Sequence, residues 1–223
     1  FCLSIQPPAG RKALKMKAAS ASIESAGVHA QLRKSQTWSL LDRRIFATAL
    51  LVSAGCFLGS ELGTWLRFPG AGAALVFPPY AVLTVALLLS RPKHWWVYLL
   101  ASFVGHSFAN FPNWPAGVVL VSEAANFARA LLAAIAIQHF NHGPRLNSFR
   151  QMATFLVFGV FVAPASAAFI GAATAAHYVS TSSYWLAWQA WFLSNAIIGA
   201  TMLPVLLISI TEFPNWLRAV SFR

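Results

Sequence analysis

Between Gln151 and Thr211 the chain reads QMATFLVFGVFVAPASAAFIGAATAAHYVSTSSYWLAWQAWFLSNAIIGATMLPVLLISIT, 61 residues without one Asp, Glu, Lys or Arg. A helix needs about 20 apolar residues to cross the hydrocarbon core of a bilayer, so this run is long enough to cross twice. The polar stretch Ser180 to Ser183 supplies the turn and predicts helices over Gln151 to Tyr178 and Tyr184 to Ile210. Upstream, runs bounded by charges or by Pro and Asn predict four more: Ile45 to Trp65, Ala71 to Ser90, Trp95 to Phe111 and Ala116 to Gln138. The fold class is therefore all-α, a polytopic membrane helix bundle with six transmembrane helices.

The whole chain agrees with that local reading. Of its 223 residues 58% are apolar and 9% charged, against roughly 25% charged in an ordinary soluble domain. Mean hydropathy is +0.62. A soluble enzyme, a disulfide scaffold and a nucleic-acid binder are disfavoured, despite a net charge of +11 and a pI near 10.7. Cys2 and Cys56 lie far apart, one in a basic tail and one inside a helix, so no disulfide is expected.

Orientation follows from the cations. With six spans and both ends on one side, that side receives fourteen Lys or Arg, while the other receives only Arg67. By the positive-inside rule both termini are cytoplasmic. The lipid bilayer is then the first partner, with anionic headgroups a secondary attraction for the same cations. Trp65, Trp95, Trp96, Trp114, Trp185 and Trp216 fall near the expected helix ends, where interfacial Trp concentrates.

Three regions differ in composition. Residues 1–44 are rich in Ala, Ser, Lys and Arg, lack a signal-peptide core and read as a disordered or loosely amphipathic cytoplasmic tail. An organelle transit peptide has a similar composition, and Met16 offers an internal start. Residues 45–210 form the membrane domain, and 211–223 begin a linker or continuation. The first residue is Phe1, which reads as a fragment or processed product. Gly55, Gly59 and Gly63 recur every fourth residue and predict close helix packing, within the bundle or across a homodimer.

Polar groups at membrane depth carry the functional expectation. Glu123 and Arg129 sit inside the fourth helix, where a central charge costs at least ~2.5 kcal/mol unless it is paired or faces water. Six residues apart, they point about 120° from one another, so a direct pair is not expected and contacts with other helices are. At 1.5 Å per residue from the outer ends, His106 and Glu123 lie about 8 to 10 Å deep, and Asn126 and Asn195 about 15 Å. Pro78 and Pro79 break the second helix about 11 Å deep, and Pro164 breaks the fifth nearer the level of Arg129. These positions predict an outward-opening polar pocket lined by Phe77, Pro78, His106, Glu123, Asn126, Arg129, Trp191 and Asn195. A buried network that only fixes helix packing is the competing expectation.

Catalysis and metal binding find no motif. Six His are scattered at 29, 94, 106, 139, 142 and 177, and no two have the spacing of a helical metal pair with a carboxylate between them. No phosphate loop, nucleophile elbow or paired carboxylates occur, so no enzyme, cofactor or catalytic residue is expected.

The string Gly70 to Pro79 (GAGAALVFPP), Leu87 to Leu89 and the basic turn ending His94-Trp95-Trp96 together resemble the bacterial membrane-associated sensor domain family, type one (MASE). Three further matches follow in order: Val121 to Asn126, Val162 to Pro164, and Trp191 to Gly199 with Pro204. The resemblance implies a multi-helix sensory module of the bacterial inner membrane, placed ahead of a histidine kinase or diguanylate cyclase. It also implies that Phe77, Pro78, Pro79, Glu123, Asn126, Pro164, Trp191, Asn195, Gly199 and Pro204 are matching positions. Asn195 stands where the family often has an acid, Tyr80 where it has a small residue, and six helices where it commonly has eight. The expected function is a non-catalytic sensor for a small molecule from the outer side, or for a membrane partner, that signals to a cytoplasmic output domain or partner protein. The alternative is a six-helix solute-binding component of a transporter.

Overall fold

The structure, a computed structural model, describes residues 42–67, 74–178 and 183–221, the last nine of these by their helical backbone. The tail with Cys2 and Met16 lies outside the described residues, as do Arg223 and the side chains of Trp216 and Arg218. The chain forms two units, Phe1–Phe46 and Ala47–Arg223. Residues 42–46 of the first are helical, and the second holds the bundle.

Among the described residues six α-helices follow one another: α1 Asp42–Trp65, α2 Pro79–Leu89, α3 Trp95–Asn110, α4 Ala116–Asn141, α5 Phe149–Tyr178 and α6 Tyr184–Ser221. Among the described residues there is no strand, only an isolated bridge between Arg67 and Ala74. By length and composition α1, α4, α5 and α6 can each cross a membrane. The first begins at Asp42, three residues before the expected Ile45, and the last runs on past Ile210 to Ser221.

The second helix departs from expectation. A span over Ala71 to Ser90 broken at its middle by two prolines is replaced by an eleven-residue helix that starts at Pro79, with residues 74–78 non-helical. Proline at the first helical position surrenders no bond, because that N–H has no intrahelical acceptor, whereas in mid-helix it would orphan one. The consecutive pair Pro78-Pro79 therefore begins the helix. At about 16 Å α2 is too short to cross hydrocarbon unaided. It is the central element instead: nine of its eleven residues are buried, which explains why it is apolar on all sides. Its C-terminal carbonyls are satisfied from neighbours, Leu87 by Trp95 Nε1 at 3.0 Å and Leu88 by Gln138 Nε2 at 3.3 Å.

The glycine stripe of α1 faces this central helix. A Cβ on Gly59 would come within 2.8 Å of Pro79 Cδ, and one on Gly63 within 3.1 Å of the Val76 carbonyl oxygen. The close packing expected of the stripe is thus made within the chain.

α4 runs three residues past the expected Gln138 and ends at Asn141 in a turn, where His142 and Gly143 take positive φ of 53° and 148°. Ser148 then caps α5 by accepting from the Gln151 N–H, while Gln151 Oε1 accepts from the Asn147 N–H. Within α5, residues Leu156–Val162 widen into a π-helix just before Pro164. Pro164 cannot donate, and in the π register its absent bond leaves the Gly159 carbonyl free. Tyr80 of α2 donates its hydroxyl to that carbonyl. Large apolar side chains such as Leu51, Leu58, Phe108, Phe161 and Val205 face outward, as a lipid-facing surface requires.

Candidate functional site

Spacing on two helices assembles the site. Ser102 and His106 lie one turn apart on α3 and present one face. On α4, Glu123, Asn126 and Arg129 recur at intervals of three, so Asn126 lies angularly between the two charges, about 60° from each. Asn126 joins them: its Nδ2 donates to Glu123 Oε2 at 3.1 Å, and its Oδ1 accepts from Arg129 Nη2 at 2.8 Å. The expected absence of a direct pair is met by a bridging amide.

Glu123 is 2% exposed and fully engaged. Ser102 donates to its Oε1 at 3.2 Å, Cys56 of α1 donates to Ser102 at 3.5 Å, and His106 Nδ1 lies 2.7 Å from Oε2. α3 and α4 meet at the carboxylate, and α1 reaches it through Ser102. Arg129, 1% exposed, finds aromatic faces instead of an acid on another helix. Its guanidinium carbon lies 4.5 Å from the Tyr80 ring centre and 5.4 Å from that of Phe77, while Nε and Nη1 have no acceptor. Phe77 also meets the His106 ring edge-on at 5.7 Å.

Beside this buried chain lies an open cavity of about 100 Å³. Of the expected site residues, Phe77, His106, Asn126, Trp191 and Asn195 line it. Glu123 and Arg129 stand behind the wall, reached through Asn126 and His106. Pro78 and Pro79 do not line the cavity; they start α2. Pro164 is buried within α5, where it belongs to the π-helix junction. The expected pocket thus separates into a lining set, a buried polar chain and backbone breaks, because the helix rotations leave the charges facing protein.

Other lining residues carried little signal in the sequence. Arg67 and Trp114 sit in connections between helices, with the guanidinium carbon 5.2 Å from the Trp114 ring centre. As the lone outer cation Arg67 was visible, but as a topology marker. Ser122, Thr174 and Ser194 also line the space. Trp191 holds its place because Gly171 of α5 has no side chain: a Cβ there would collide with the indole. Asn195 Nδ2 donates to the Trp191 carbonyl at 2.6 Å, while Asn195 Oδ1 and Trp191 Nε1 are buried without partners. Among the described residues no cluster of His, Cys, Asp and Glu could hold a metal ion.

No curated protein and no solved structure matches the chain. The model of the MASE1 family, a membrane-associated sensor domain family, matches residues 47–222, which includes every helix that builds the cavity and the buried polar chain. The chain belongs to the MASE1 family of membrane-associated sensor domains.

Proposed function

We propose that the chain is the input module of a signalling protein of the bacterial inner membrane, with both termini cytoplasmic. A small molecule from the outer side, or a membrane partner, engages the cavity and shifts the packing of the helices around it. The sixth helix passes the shift to a cytoplasmic output enzyme, a histidine kinase or diguanylate cyclase. The module itself performs no chemistry.

The observation that carries this reading is the contact between the cavity and a buried chain of polar bonds that ties α1, α3 and α4 together. Side chains that line the cavity, His106 and Asn126, are also members of that chain. A ligand that binds one arrangement of those bonds better than another moves the equilibrium by the difference in affinity. Trp191 and Asn195 add a lever, since they line the cavity and belong to a helix of 38 residues, about 57 Å, well beyond the ~30 Å hydrocarbon thickness.

The test fuses a cyclase reporter in frame after Arg223 and measures its product in cells. Glu123→Gln preserves size but removes the charge and turns one of the two acceptor oxygens into a donor. The reading expects output to change while the protein remains inserted at normal abundance. Unchanged output, or loss of the protein from the membrane, assigns the chain of bonds to packing alone. An in-frame kinase or cyclase domain downstream of Arg223 in the coding sequence supports the same reading, and a neighbouring ATPase subunit after a stop codon the transporter.

A further inference from the structure

The cavity carries one formal charge. Arg67 lines it, no Asp or Glu does among the described residues, and the Glu123 carboxylate is occupied behind the wall by Ser102, Asn126 and His106. Arg67 is half-buried against Trp114, and its Nε is buried without an acceptor. Burial pulls the Arg67 pKa down, a desolvation cost that an anion beside it would offset. The first turns of α4, which line the same space with Val118 and Val119, add the positive end of a helix dipole.

Two more unsatisfied groups come from α6. Trp191 Nε1 is a buried donor without an acceptor, and Asn195 Oδ1 is a buried acceptor without a donor. Asn195 is only 3% exposed. Buried polar atoms are nearly always bonded, so a complementary pair of orphans on two side chains that line one cavity describes the missing partner: a group that both accepts and donates. Hydroxyl and amide groups do both.

We propose that this cavity takes a small organic monocarboxylate that also bears a hydroxyl or amide group. The carboxylate sits on Arg67, and the neutral group accepts from Trp191 Nε1–H and donates to Asn195 Oδ1. One guanidinium balances one negative charge; the second charge of a phosphate monoester would be left uncompensated in a half-buried space. The phenylalanine and tryptophan faces of the wall suit a flat or apolar body between the two ends. This inference rests on the sensor reading of the same cavity.

The test uses the purified 223-residue chain in lipid nanodiscs, with binding read by saturation-transfer NMR titration. Probes are 4-hydroxybenzoate, lactate and N-acetylglycine; controls are the methyl ester of each acid and phenyl phosphate. At least one carboxylate is expected to bind saturably, with its own methyl ester at least about tenfold weaker and phenyl phosphate no tighter. Arg67→Gln and Asn195→Leu are each expected to weaken the bound carboxylate about tenfold. The acid-against-ester comparison uses the unmodified protein, so it stands even where a variant fails to fold. No binding by any of the three acids, equal binding of the ester, tighter binding of the phosphate, or full binding by Arg67→Gln each overturns the proposal. None of these touches the reporter experiment, which needs no ligand identity, so the ligand class and the sensor reading fail separately.

Discussion

Asn126 is the residue on which the buried charges depend. Glu123 and Arg129 are each almost fully enclosed, and the amide between them carries a hydrogen bond to both. Asn126→Leu removes both bonds and leaves two buried charges poorly compensated, so a loss of about 3 kcal/mol is expected, read as the midpoint shift in denaturant unfolding in micelles. Glu123→Gln should lose less, about 1 to 2 kcal/mol, because an amide can still bond Ser102 and Asn126. At Gly171 a different mechanism applies. Gly171→Ala forces the Trp191 indole from its seat, and about 1 to 3 kcal/mol of stability is expected to go with it. A shift in tryptophan emission should accompany that loss; emission and stability both unchanged would contradict the packing described. The charges were legible in the sequence because they are costly in an apolar helix. Ser102 and Cys56 were not, since small polar residues are ordinary in membrane helices and only their partners give them a role.

At the scale of elements, α2 and α5 are coupled by one hydrogen bond. The π-helix before Pro164 leaves the Gly159 carbonyl without an intrahelical donor, and the Tyr80 hydroxyl fills that vacancy. Tyr80→Phe should therefore destabilise by about 1 to 3 kcal/mol, the range for a buried acceptor left unsatisfied. Pro164→Ala restores an N–H that can take over. In the double variant the tyrosine penalty should shrink, giving a coupling of about 1 kcal/mol in a double-mutant cycle. Additive effects would show that the carbonyl finds another donor. Pro164 marked a break in the sequence, but whether the backbone kinks, unwinds or widens depends on which neighbour supplies a donor. The same holds for Pro78 and Pro79: the sequence placed a break there, and the burial of α2 between its neighbours decided that it would be a helix start.

For the whole molecule, the outward-facing apolar side chains and four membrane-length helices put the bundle in a bilayer. The asymmetry of Lys and Arg predicts its direction. A periplasmic phosphatase fused after Trp114 is expected to be active and one fused after Asn141 inactive; the reverse pattern inverts the orientation. Because α2 is too short to cross unaided, a fusion within residues 74–78 probes how deep this non-helical segment lies. Irregular backbone at membrane depth is tolerated where protein or a cavity surrounds it, and Ala74 and Phe77 do line the cavity.

The sequence by itself determined the solvent, the helical class and most helix boundaries. Those follow from hydropathy, charge and turn residues that act over a few neighbours. It also flagged Glu123, Asn126 and Arg129, since insertion of polar groups is costly whatever surrounds them. Which of the flagged residues meet the cavity was a tertiary decision. Rotating a helix by 100° per residue moves a side chain from cavity to core, and that rotation is set by close contacts such as Gly59 on Pro79 and Gly171 on Trp191. So the charges face protein, while Arg67, a connection residue, is the cation that lines the space.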